Sequence, residues 1–266
     1  MSENVWLAFS LTLLAGLATG VGGALAFVAK KDNMKLLSVG LGFSAGVMIY
    51  VSFVEILRKA ELSLTAQLGP EAGPWAAIGC FFAGMLAAAV LDKLVPSGMS
   101  YHDMQISQPE ESQEQLAGRL ERMGILTAVV IALHNFPEGL ATFIGALEDP
   151  ALGVSLAIAI AIHNIPEGMS VALPIFYATR SKLRGFFYAL LSGLAEPIGG
   201  IIGYFILRSV FSEGVFGVSF AAVAGIMVYI SLDELLPMSR ESHSGHASML
   251  GLVLGMLVMA VSLLLF

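Results

Sequence analysis

The chain has 266 residues, of which 57% are hydrophobic and 12% charged, with a formal net charge of −7 and a mean hydropathy of +0.84. That composition lies outside the soluble globular class and inside the membrane class. With no basic stripe and no nucleic-acid motif it argues against nucleic acid as a partner, and its single cysteine, Cys80, leaves neither an intrachain disulfide framework nor a thiolate metal cluster available.

The opening Met1-Ser2-Glu3-Asn4 lacks the positive n-region of a secretory signal, so the first apolar run, 5–28, reads as a retained span. Further runs follow at 36–57, 75–95, 125–147, 151–176, 186–207, 215–236 and 247–266. Each is about 20 residues or more, enough to cross a hydrocarbon core roughly 30 Å thick. Backbone polar groups cannot meet water there, which makes helices the economical choice. The prediction is an all-α integral membrane protein, one transmembrane domain over 1–266 built as an eight-transmembrane-helix bundle.

Between the third and fourth spans lies a polar stretch, 96–121, that includes Ser107-Gln108-Pro109-Glu110-Glu111-Ser112 and is expected to be a mobile cytoplasmic loop. His102 and Asp103 in it could capture metal, or could simply be solvated. Orientation follows from basic residues, which short cytoplasmic loops retain. The odd-numbered connections carry Lys30, Lys31, Lys35, Lys93, Arg119, Arg122, Arg180, Lys182, Arg184 and Arg240, against Arg58, Lys59 and Arg208 on the even-numbered ones. Both termini are therefore expected outside the cytoplasm.

The fourth and fifth spans each contain one hexapeptide, His134-Asn135-Phe136-Pro137-Glu138-Gly139 and His163-Asn164-Ile165-Pro166-Glu167-Gly168. Their 29-residue offset reads as the only clear internal repeat. A charged group at the centre of a membrane helix costs about 2.5–3.5 kcal/mol on insertion scales, so packing alone would have chosen leucine. Residues four apart share a helix face, which sets His134 beside Glu138 and His163 beside Glu167, with Asn135 and Asn164 turned toward a neighbouring face. Carboxylate oxygen, imidazole nitrogen and amide oxygen are ligand types that divalent metals accept. Pro137 and Pro166 free the carbonyls of Leu133 and Ile162 and predict kinked metal-binding helices.

A third carboxylate, in Ala195-Glu196-Pro197 of the sixth span, repeats the pairing of an acid with a proline. Three glutamates together suit one or two divalent ions, and metal should compete with protons for them. Glu55 near the end of the second span, and Asp233 and Glu234 near the end of the seventh, could line a cation pathway or merely face water. His243 and His246 could receive metal on the cytoplasmic side. Glycine clusters such as Gly20-Val21-Gly22-Gly23, Gly40-Leu41-Gly42 and Gly199-Gly200 are expected to permit close helix packing.

At the paired His-Asn-X-Pro-Glu-Gly motifs the chain resembles the ZIP (Zrt/Irt-like) family of divalent-metal transporters, in its bacterial branch, and the resemblance covers essentially the whole sequence. It implies uptake of zinc, and also of iron, manganese, cobalt or cadmium, into the cytoplasm by alternating access. Zn2+, Fe2+, Mn2+, Co2+ and Cd2+ would then be transported substrates, with no catalytic cofactor. It further implies a metal centre of His134, Asn135, Glu138, His163, Asn164, Glu167 and Glu196, forming two adjacent sites with Glu167 as a bridging ligand. Helices one, four, five and six would move against two, three, seven and eight. The expected setting is the bacterial inner membrane, with lipid and divalent ions as partners and a homodimer as an open assembly. The rival reading is an intramembrane metal-dependent hydrolase, against which no His-Glu-X-X-His pair is present; a structural metal in a scaffold is a third.

Overall fold

The computed structural model describes residues 3–30, 33–94, 113–148, 150–207, 213–243 and 245–265. Among them every regular element is helical: α1 (Glu3–Ala24), α2 (Met34–Val51), α3 (Leu57–Leu94), α4 (Gln113–Glu148), α5 (Pro150–Thr179), α6 (Lys182–Gly193), α7 (Ala195–Ile202), α8 (Glu213–Ile230), α9 (Leu236–Ser242) and α10 (Gly245–Leu265). Three single π-helical turns interrupt or extend these helices, at Ser52–Ile56, Gly203–Leu207 and Ser231–Leu235. Two helix starts are capped by side chains. The Asn33 side-chain oxygen accepts from the Leu36 N–H at 3.1 Å, and the Ser181 hydroxyl oxygen accepts from the Arg184 N–H at 3.3 Å.

Six stretches among the described residues are long and apolar enough to cross a membrane: Asn4–Phe27, Met34–Val90, Leu156–Thr179, Lys182–Phe205, Gly214–Ser242 and Gly245–Leu265. The second covers both the second and third expected spans. Gly69, at φ +87°, divides it, and a Cβ at Gly73 would meet the Thr65 backbone, so the chain turns a tight corner at Gly69, just before Pro70. Large apolar side chains face outward along the bundle, with Trp75 76% and Leu264 86% exposed, as a lipid-facing surface requires.

The helices pack in two groups, α1 with α4, α5, α6 and α7, and α2 with α3, α8, α9 and α10. They meet mainly where α2 crosses α5 and α4 crosses α8. Leu41, Met48, Ile131, Leu173, Phe176 and Met227 fill the buried core. Close backbone approach explains the glycine clusters: a Cβ at Gly22 would strike the Ile165 carbonyl, and one at Gly199 the Phe136 carbonyl.

One local expectation changes. Residues 113–121 of the polar stretch are helical, as the first turns of α4, because Leu116 and Leu120 lie one turn apart and pack against the core; residues 96–112, with His102 and Asp103, lie outside the described residues. Pro137 lies inside α4, and Pro166 and Pro174 inside α5. A break between helices falls at Leu194, between α6 and α7, two residues before the Glu196-Pro197 pair.

Candidate metal centre

Because α4 ends at Glu148 and α5 begins at Pro150, the two helices form an antiparallel hairpin, and positions advancing along one helix face positions receding along the other. Residues 134 and 167 are one such pair, 138 and 163 the other. The two hexapeptides consequently interlock reciprocally. His134 Nε2 lies 3.1 Å from Glu167 Oε1, and His163 Nε2 lies 3.3 Å from Glu138 Oε2. Glu138 Oε2 is also 3.9 Å from His134 Nε2, so this carboxylate is shared by both rings, whereas Glu167 faces one.

The final glycine of each hexapeptide admits a third helix. A Cβ at Gly139 would collide with the Glu196 carbonyl, and one at Gly168 with the Thr19 carbonyl. Without those side chains α7 settles on α4 and α1 on α5. The first contact carries Glu196 to the centre, where its Oε1 accepts a hydrogen bond from Asn164 Nδ2. The second brings the Ala15 carbonyl to the same amide at 2.9 Å. Asn135 Nδ2 likewise donates to the Ser192 carbonyl of α6 at 3.3 Å. Both amide nitrogens are thereby occupied, while both amide oxygens are buried without a hydrogen-bond partner and are free to act as ligands.

His134, Asn135, Glu138, His163, Asn164, Glu167 and Glu196 are all buried, none more than 5% exposed. His134 Nδ1, His163 Nδ1, Glu167 Oε2 and Glu196 Oε2 have no hydrogen-bond partner. So many unsatisfied ionisable atoms in a membrane interior call for compensation by a cation or by protons, since an uncompensated buried charge costs several kcal/mol. Two ligand atoms each about 2.1 Å from a tetrahedral zinc ion stand about 3.4 Å apart. The 3.1, 3.3 and 3.9 Å separations bracket that edge. Among the described residues no three His, Cys, Asp or Glu side chains form a ready-made cage for a metal ion.

The remaining sequence candidates lie outside this cluster. Glu55 sits in the Ser52–Ile56 π-turn, with Oε1 2.7 Å from Lys59 Nζ. Asp233 and Glu234 sit in the Ser231–Leu235 π-turn, Glu234 3.6 Å from the Arg122 guanidinium. His243 and His246 are exposed at the link between α9 and α10.

Two features escaped the sequence reading. One is Ser44 of α2, whose hydroxyl donates to the Pro166 carbonyl at 2.7 Å and ties the second helix group to a hexapeptide; nothing in its sequence context marks it. The other had a readable signal. Residues 46–57, Gly-Val-Met-Ile-Tyr-Val-Ser-Phe-Val-Glu-Ile-Leu, recur 179 positions later at 225–236 as Gly-Ile-Met-Val-Tyr-Ile-Ser-Leu-Asp-Glu-Leu-Leu. Each copy forms a π-turn that begins at its serine and carries its glutamate, so the hexapeptides are not the only repeat. Such turns inside helices are frequent at functional positions.

Comparison with known proteins places the chain in a family. The description of the ZIP Zinc transporter family matches residues 92–263. The Zinc transporter ZupT of Chlorobium chlorochromatii is 55% identical over 267 residues, covering 100% of both chains. That of Clostridium perfringens is 53% identical, covering 99% of this chain and 97% of its own, and that of Streptococcus mutans is 52% identical with 100% of both covered. The chain is thus an integral membrane protein of helical build that belongs to the ZIP family of zinc transporters.

Proposed function

We propose that this chain carries zinc, and with it other divalent transition-metal ions such as Fe2+, Mn2+, Co2+ and Cd2+, across the bacterial inner membrane into the cytoplasm. The observation that carries the reading is the reciprocal pairing of His134 with Glu167 and His163 with Glu138, buried within a membrane bundle at separations that suit a bound dication. The similarity to transporters named for zinc supports zinc as substrate, and the carboxylate, imidazole and amide donor set accepts the other ions as well.

Residues His134, Asn135, Glu138, His163, Asn164, Glu167 and Glu196 are the ligands in this reading. Glu55 lies on the outer part of the pathway, and Asp233, Glu234, His243 and His246 on the inner part. Eight spans follow if the break at Gly69 separates a second from a third and α4 supplies the fourth. Alternating access would move α1, α4, α5, α6 and α7 against the other helices, along the seam where α2 meets α5. Orientation with both termini extracytoplasmic is supported by basic loops gathered at one end. The Tyr177 hydroxyl donates to the Asn33 carbonyl at 2.6 Å, and Lys182 Nζ to the Phe27 carbonyl at 2.5 Å, which joins the connection after α1 to the one after α5. The hydrolase alternative is not favoured, since the family is one of transporters.

The test is uptake of radioactive zinc by proteoliposomes holding the full chain. Inward flux that disappears in Glu138→Ala and Glu167→Ala is expected. Zinc bound stoichiometrically without any flux would favour an enzyme or scaffold and overturn the reading.

A further inference from the structure

The glutamates of the twelve-residue repeat are not left bare. Glu55 faces the Lys59 ammonium at 2.7 Å, and its counterpart Glu234 faces the Arg122 guanidinium at 3.6 Å. The first pair is the more telling. Lys59 stands one turn after Glu55 on the same helix, so the ammonium is held to its partner by the backbone. It engages one carboxylate oxygen, while Oε2 is buried with no hydrogen-bond partner. The Lys59 side chain is 41% exposed and the Glu55 side chain 16%, so the cation reaches solvent and can swing away while the carboxylate stays in the wall. Both lie on the helical run that continues α2 through the Ser52–Ile56 turn, and α2 touches the second hexapeptide through the Ser44 hydroxyl on the Pro166 carbonyl.

Resting on the transport reading above, we propose that the Lys59 ammonium is a tethered counter-cation on Glu55, holding that carboxylate against monovalent ions until a divalent ion displaces it, and so sets charge selectivity at the approach to the metal centre. A free K+ or Na+ ion brings no more charge than the ammonium already supplies, must shed water, and meets a charge-assisted hydrogen bond that it cannot reproduce. A dication doubles the Coulomb attraction at equal distance and can also engage the unpartnered Oε2. Lys59 is on this account a positioning residue that acts through Glu55.

The experiment uses wild type, Lys59→Gln, Lys59→Met, Lys59→Arg and the double variant Glu55→Gln/Lys59→Gln. Initial rates of zinc uptake are measured in proteoliposomes while external choline chloride is replaced by potassium chloride at constant ionic strength. Zinc binding to the same proteins is measured by equilibrium dialysis in detergent. Wild type and Lys59→Arg should respond less than about twofold to potassium. In Lys59→Gln and Lys59→Met the KM for zinc should fall at least about threefold with no loss of kcat, and potassium should raise it again by a similar factor. In the double variant both effects should vanish. An unchanged KM, a response to potassium no greater than that of wild type, or effects that persist without Glu55 overturn the assignment. If wild-type vesicles accumulate no zinc, it is the transport reading that fails. Dialysis then decides on Lys59: potassium must compete for zinc in Lys59→Gln and not in wild type, and equal behaviour overturns the assignment.

Discussion

Replacing Glu138 by glutamine keeps the side chain's shape and removes one negative charge from the atom that both imidazoles approach, at 3.3 and 3.9 Å. A carboxylate oxygen about 2.1 Å from a dication interacts with it by about 16 kcal/mol at an effective dielectric of 20. Dehydration of ion and carboxylate offsets most of that, and breaking a buried charge pair leaves a net loss of about 3–5 kcal/mol. At about 1.4 kcal/mol per decade, zinc affinity should fall between about a hundredfold and several thousandfold. Glu167 faces only one ring, at 3.1 Å, so Glu167→Gln should cost less than Glu138→Gln. The assay is equilibrium dialysis of zinc against purified protein in detergent, with thermal unfolding followed in parallel. A loss below about tenfold in a folded Glu138→Gln protein, or a larger loss in Glu167→Gln, would refute the shared-carboxylate geometry.

Gly139→Val forces a side chain against the Glu196 carbonyl, and the overpacking should destabilise the bundle by about 1–3 kcal/mol while weakening zinc binding through a residue that is no ligand; an unchanged melting temperature would contradict the contact. Ser44→Ala removes the hydrogen bond from α2 to the Pro166 carbonyl, about 1 kcal/mol, and because that bond joins the two helix groups it should change the uptake rate more than zinc affinity, as flux and dialysis compared on one preparation will reveal. Arg122→Gln strips Glu234 of its guanidinium and should lower stability by about 1–3 kcal/mol, with a loss in Arg122→Gln/Glu234→Gln smaller than the two single losses combined.

The sequence by itself determined the membrane setting and the helical class, and it named the seven side chains that the structure buries together. Length and apolarity of each run are local properties, and a carboxylate with a histidine one turn away inside such a run has few compatible explanations. Because the side-chain period of a helix is fixed, His134 with Glu138 and His163 with Glu167 could be placed on common faces without coordinates. The twelve-residue repeat was equally legible, yet its weight came only from the two π-turns, since a π-turn depends on how neighbouring helices accept an extra residue.

Tertiary structure alone decided which donor meets which. Spacing along one helix pairs each histidine with its own glutamate, but the antiparallel register of α4 and α5 pairs it with the other helix's glutamate, and register is a property of two chain segments at once. The same holds for Asn164, whose amide is fixed by a backbone carbonyl of α1 and a carboxylate of α7, and for Gly139 and Gly168, whose missing side chains matter only because α7 and α1 lie against them. Helix 113–121 formed where composition suggested a loop because Leu120 found a buried partner surface, a contact that no local window contains.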